Sequence, residues 1–237
     1  MKKLGIIGGL GPMASVYFLE LIIKMTDVKR DQDHIRVYLY SIPDTPDRTD
    51  YICGKSDKNP LPFLVEAGIS LERQGADYIA IPCVTAQYFY EELTKVLSIP
   101  VIPIIPSVVG EIKKMNIRTV GVLATNGTIE SQLLQKEFNK MGIKVVVPSQ
   151  NGQEVIMNII YNQIKAGSQG DLVQFLRVGD ELKKMGAEKI IIACTELSLL
   201  KRENFINNEY VDILEILAKN AVKYSGVALK NEYINVI

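Results

Sequence analysis

The chain is written twice. Ile69 to Cys83 (ISLERQGADYIAIPC) aligns without a gap on Asp180 to Cys194 (DELKKMGAEKIIIAC), at an offset of 111 residues. Both segments pass through a leucine (Leu71, Leu182), a Gly-Ala pair (Gly75-Ala76, Gly186-Ala187), an acid (Asp77, Glu188) and an apolar run that ends in cysteine. The opening runs echo each other as well: Leu4-Gly5-Ile6-Ile7-Gly8 and Val120-Gly121-Val122-Leu123-Ala124 each lead into a turn of small residues. Self-similarity at a fixed offset constrains architecture before any local pattern does. Here it demands two related halves.

Within each half the pattern is strand, turn, helix, strand. Leu4–Ile7 and Tyr78–Ile81 are short continuous apolar runs, as strands covered on both faces would be. Ser15–Met25, Phe63–Gln74 and Tyr88–Leu97 carry apolar residues at helical spacing, and His34–Tyr40 is β-rich. The second half predicts strands over 119–124, 144–147 and 189–193, with helices over 130–141, 154–166 and 171–185. Alternation of this kind predicts an α/β fold with parallel sheets. The Pro-rich segment Pro100–Pro106 reads as the separator of the halves, and a last helix, Ile213–Ser225, is expected to pack back on the first. The lobes are therefore drawn as 1–99 plus 211–237, and 100–210.

A chain of 237 residues with 47% hydrophobic composition can bury such cores. Lys+Arg 27 against Asp+Glu 27 supplies no basic excess for nucleic acid or an anionic membrane. No apolar run approaches the roughly 18 residues of a spanning helix, and Gly11-Pro12 breaks the only leader-like start, so a cytoplasmic location is expected. Three cysteines at wide spacing do not make a disulfide framework. The thiols are left for chemistry.

The repeat places Cys83 and Cys194 at equivalent positions, each just past the end of a buried parallel strand. That edge of an open α/β sheet is where ligands bind. Each cysteine also precedes a helix start, where the helix dipole favours a thiolate. A lone strand-end cysteine is ordinarily a small core residue. Two at matched positions, each with a threonine nearby (Thr85, Thr195), point further. If the lobes face each other, one thiolate can take a proton from carbon while the other thiol returns one to the opposite face. This is two-base racemisation, a form of general acid–base catalysis. Cys53, in a polar loop, has no such counterpart.

At these residues the chain resembles the PLP-independent aspartate/glutamate racemase family. The matching segments are Gly8-Gly9-Leu10-Gly11-Pro12, Pro46-Asp47-Arg48-Thr49, Pro82-Cys83-Val84-Thr85-Ala86-Gln87, Ala124-Thr125-Asn126-Gly127-Thr128, Lys165-Ala166-Gly167 and Ala193-Cys194-Thr195-Glu196-Leu197. The resemblance implies two pseudo-symmetric Rossmann-like domains with the active site in the cleft between them. It implies Cys83 and Cys194 as the acid/base pair, no cofactor, and a homodimer. Substrate contacts would come from Leu10, Gly11, Arg48, Val84, Thr85, Thr125, Thr128, Lys165, Thr195 and Glu196. Two cations, Arg48 and Lys165, would suit a dicarboxylic amino acid. The sequence departs from the family pattern at Val84, where an Asn is usual, and at Gln87, where a His is usual. Val84 keeps only its backbone N–H as a donor, and Gln87 cannot titrate.

Other constellations are weaker. Gly9-x-Gly11-x-x-Ala14 fits a dinucleotide fingerprint, but Pro12 interrupts it and no acid follows the second strand. The single histidine, His34, excludes a multi-histidine metal site and a Ser-His-Asp hydrolase unless that residue takes part. Two rivals stand beside the racemase. One is a related cysteine-dependent isomerase such as maleate isomerase, in which a cysteine attacks as nucleophile. The other is a non-catalytic amino-acid-binding protein, suggested by Val84 and Gln87.

Overall fold

The computed structural model describes residues 1–204 and 206–234. Its first half runs β1 (Leu4–Gly8), α1 (Pro12–Met25), β2 (Val37–Ser41), α2 (Arg48–Ile52), α3 (Leu61–Arg73), β3 (Tyr78–Ala80), α4 (Tyr90–Val96) and α5 (Ile104–Lys114). The second runs β4 (Thr119–Leu123), α6 (Asn126–Ser131), α7 (Leu133–Lys140), β5 (Lys144–Val146), α8 (Gln150–Asn158), α9 (Leu172–Lys184), β6 (Lys189–Ile192), α10 (Thr195–Glu203), β7 (Tyr210–Asp212), α11 (Ile213–Ser225) and α12 (Asn231–Ile234).

The strands form two parallel sheets, ordered β2-β1-β3 and β5-β4-β6-β7. Val101 forms a parallel bridge with Ile79, in the place beside β3 that β7 occupies beside β6. The two sheets thus share one strand order, with a single bridge standing for the fourth strand of the first. The central strands β1 and β6 are almost wholly buried. The repeated glycines perform the same task in each half. Gly75 (φ +88°) and Gly186 (φ +95°) leave their helices in the left-handed region, which costs a residue without Cβ little.

The final helix of each half crosses over. α5 packs against α7 of the second half, and α11 packs against α1 of the first. Phe18, Ile22 and Met25 of α1 lie with Leu214, Leu217 and Ala218 of α11 in one core, which also holds Ile104, Val108 and Phe138. Full burial of a side chain of this size contributes ~1.5–3 kcal/mol, so the lobes are joined by apolar packing as well as by two crossings of the chain.

Several expectations change in detail. Pro100–Pro106 is more than a separator, since Pro103 caps α5 and Pro106 lies in its first turn, where a missing N–H breaks no helical bond. β7 was not foreseen, and the lobe boundary drawn at 210/211 cuts through it. The boundary at 99/100 likewise leaves Val101 outside the sheet it borders. The helix expected over 130–141 is broken at Gln132, which is left-handed (φ +56°) and ends α6 as it starts α7. The helix expected over 154–166 is α8 followed by a wider π-helical turn over Ile159–Ile164. Among the described residues no helix is long and apolar enough to cross a membrane.

Candidate active site

The C-terminal edges of the two sheets face one cleft. Cys83, five residues past the start of β3, and Cys194, the N-cap of α10, both line a single chamber there. The chamber measures about 10 Å³, room for about one water molecule. Its other walls are Leu10, Asp47, Arg48, Thr49, Val84, Thr85, Thr125, Tyr161, Lys165, Thr195 and Glu196. A wider vestibule of about 480 Å³ lies outside it, and Leu10, Asp47, Arg48, Lys165 and Glu196 border both spaces. These five residues form the neck.

Arg48 opens α2 and is buried. Its Nη2 donates to the Leu10 carbonyl at 2.7 Å, and its Nη1 donates to the carbonyls of Thr45 and Pro46 at 3.3 and 3.2 Å. Its Nε–H has no partner among the described residues. Burial works against the guanidinium charge, but the neighbouring Cys83, Asp47 and Glu196 outweigh it and hold the Arg48 pKa above the ordinary value. The guanidinium is therefore fixed by carbonyls, and Arg48 borders the chamber that Cys83 also lines.

Cys194 has a different neighbour. Its Sγ–H donates to Glu196 Oε2 at 3.0 Å. Burial, and next the Glu196 carboxylate, push the Cys194 thiol well up, while Lys165 pulls it back only in part. Glu196 itself is buried, with Lys165 Nζ 3.3 Å from its Oε1. That ion pair lacks hydrogen-bond alignment, so Oε1 still has no donor. Burial pulls the Lys165 pKa down, but the Glu196 charge outweighs it and keeps the ammonium above its ordinary value.

Three threonine hydroxyls tie the lobes beside the chamber. Thr85 Oγ1 lies 3.0 Å from Thr125 Oγ1 and 2.9 Å from Thr128 Oγ1, and those two are 3.2 Å apart. Around such a triangle each hydroxyl can donate once and accept once. Thr125 also caps α6 through the Thr128 N–H.

Most of the residues singled out in the sequence line the chamber. Gly11 borders the vestibule instead, and Thr128 reaches the site only through the threonine triangle. Gln87 is buried in the 3₁₀ turn Thr85–Phe89 and is not part of the chamber wall, whereas Val84 gives that wall an apolar patch. Cys53 lies outside it, its thiol pushed up to about 11 by burial and by Glu130. Sequence reasoning missed three residues of the wall, Asp47, Thr49 and Tyr161. Asp47 caps α2 through the Asp50 N–H and accepts from the Tyr161 hydroxyl at 3.1 Å on each oxygen. Tyr161 sits on the π-helical turn with Lys165 Nζ 4.9 Å above its ring. A wide turn late in a helix marks functional positions in many proteins, but nothing in the local sequence announces it.

Comparison with known proteins gives the family. A family model described as Asp/Glu/hydantoin racemase matches residues 7–221. The chain belongs to the Asp/Glu/hydantoin racemase family. RacX of Bacillus subtilis, a broad specificity amino-acid racemase, is 29% identical over 225 residues, which cover 92% of this chain and 96% of RacX. The aspartate racemase of Picrophilus torridus superposes with a TM-score of 0.84 at 29% identity, covering 98% of each chain. The glutamate racemase of Francisella tularensis, solved with D-glutamate, shares the fold at TM-score 0.67 and 18% identity, covering 100% of this chain and 84% of that one. These family members are amino-acid racemases, isomerases by class.

Proposed function

We infer that the protein is an amino-acid racemase that inverts the α-carbon by two-base proton transfer between Cys83 and Cys194. The single observation that carries this reading is that both thiols, brought from equivalent positions of the two halves, line one chamber. Their surroundings divide the labour. Cys83 shares the chamber with the Arg48 guanidinium, while Cys194 donates its S–H to Glu196. The Cys83 thiolate takes the α-proton from one face of the substrate: the Cα–H bond breaks and an S–H bond forms. The Cys194 thiol then gives its proton to the opposite face. The enzyme is left with its proton on the other cysteine, ready for the reverse reaction. The two titrations are coupled, so the pair rather than either residue defines the active protonation state.

The unpartnered Nε–H of Arg48 suits one oxygen of a substrate carboxylate. The free Oε1 of Glu196 suits the substrate ammonium. Arg48 and Lys165 together support a dicarboxylic amino acid, with Lys165 at the neck taking the side-chain carboxylate. Fixed dipoles and cations stabilise the carbanion-like intermediate without rearranging as charge develops.

The test is chiral inversion, with α-proton exchange in deuterated water, over a panel of L- and D-amino acids. Inversion of aspartate or glutamate with deuterium at Cα, lost in both Cys83→Ala and Cys194→Ala, is the expected result. Inversion that survives in both variants sinks the two-base reading. Tight binding of an amino acid without exchange makes the protein a binder.

A further inference from the structure

α10 carries the Cys194 end of the site on its first turn, and its far side is held by polar ties rather than by apolar packing alone. Ser198 Oγ donates to Asp212 Oδ1 at 2.8 Å. Lys201 pairs with Glu215 of α11 at 2.8 Å, and Arg202 pairs with Glu20 of α1. Leu197 and Leu200, on the opposite face of α10, belong to the second core. The helix is thus clasped between its own sheet and the two helices that come from across the molecule.

Asp212 is the unusual member of this set. It ends β7, opposite Ile192 in the neighbouring strand β6, so it lies beside the chain that turns into Cys194. It is 1% exposed, against 17% and 19% for the side chains of the Lys201–Glu215 pair. Its Oδ1 accepts twice, from Ser198 Oγ and from the Leu214 N–H at 2.8 Å, which also caps α11. Its Oδ2 has no partner. A buried carboxylate of this kind costs stability unless its charge is compensated. Among the described residues no ammonium or guanidinium touches it. The groups facing it are Lys201 on α10, Glu215 on α11, and Tyr17, itself close to Glu20 and Arg202, on α1.

We propose that Asp212 is a positioning residue for the Cys194 half of the site: its Oδ1, held between the Ser198 hydroxyl and the Leu214 N–H, fixes α10 so that Cys194 and Glu196 keep their geometry. The proposal rests on the racemase reading for what that geometry is used for. Loss of that acceptor loosens α10 and the first turn of α11 together, because one oxygen serves both. Burial, and next the Glu215 charge, raise the Asp212 pKa to about 7. The folded arrangement thus favours the neutral carboxyl, which keeps an oxygen as acceptor for both bonds.

The test compares the full-length wild type, Asp212→Ala, Asp212→Asn and Ser198→Ala at one pH. Ala removes the acceptor for both bonds, whereas Asn keeps it. The first readout is amide hydrogen exchange over residues 195–203, expressed as protection relative to the unstructured chain, which needs no turnover. Asp212→Ala is expected to lose protection in α10 while β6 stays protected, and Asp212→Asn is expected to keep most of it. The second is steady-state racemisation. Asp212→Ala is expected to lower kcat roughly ten- to hundredfold with KM little changed, and Asp212→Asn to stand near wild type. Ser198→Ala is expected to be slower, with protection lost in α10. An Ala variant with wild-type protection in α10, or with wild-type kcat, overturns the proposal. A wild type that exchanges no α-proton fails the racemase reading instead, and the exchange readout then decides the role of Asp212 by itself.

Discussion

Gly11 and Glu196 touch across the cleft: a Cβ built on Gly11 would stand 2.6 Å from Glu196 Oε1. The first half of the chain thus keeps a position bare so that a carboxylate from the second half can lie against it. The contact carries no hydrogen bond, yet it sets where Glu196 stands, and Glu196 holds the Cys194 proton. Gly11→Ala is expected to displace that carboxylate and lower racemisation by about tenfold or more, with the fold intact. Steady-state rates beside thermal melting of the variant check this.

Glu196→Gln keeps an acceptor for the Cys194 thiol but removes the charge. Because the Glu196 charge raises the Cys194 pKa, the Gln variant moves it down. The Lys165 ammonium moves down as well, since Glu196 is the largest of the influences that hold it up. The basic limb of the rate profile should shift to lower pH, and ultraviolet titration of thiolate in the variant should show the same displacement.

Arg48→Lys replaces a fork by a point charge. One ammonium cannot serve the carbonyls of Leu10, Thr45 and Pro46 and still border the chamber that Cys83 lines. KM for the amino acid should rise by roughly ten- to hundredfold, with kcat falling as well. A variant with wild-type kcat/KM would remove Arg48 from the site.

Asp212 gives a stability signature separate from rate. Its folded pKa of about 7 lies above the ordinary 3.8, so in that interval the folded chain binds more protons than the unfolded one. Its contribution therefore makes stability fall as pH rises from about 4 to about 7 and levels off above. Asp212→Asn should flatten this part of the melting temperature against pH, a comparison calorimetry can make directly.

The repeat made much of this legible from sequence. Gly75 and Gly186, Cys83 and Cys194 sit where a doubled unit puts them, because apolar runs and glycine stops report strands and helix ends locally. What stayed hidden depends on contacts distant in sequence. Pro103 and Pro106 read as a break because proline ends helices, yet at the start of α5 they are compatible with one. Tyr210-Val211-Asp212 is too short to carry a period, and only its partner β6 makes it a strand. Tyr161 joins the site through Asp47, 114 residues away. Gln132 breaks a helix without glycine or proline to announce it.

The water-sized chamber has a consequence for isotopes. With so little solvent beside the sulfurs, a hydron lifted from one molecule has few bases to escape to while the neck is shut. On the two-base reading it stays on its thiol until product leaves, and when release outpaces washout it is passed to the next molecule bound in the opposite sense. Such a protein would carry a memory of its last substrate, readable in ordinary water as deuterium from one α-deuterated enantiomer appearing in product made from the unlabelled opposite enantiomer.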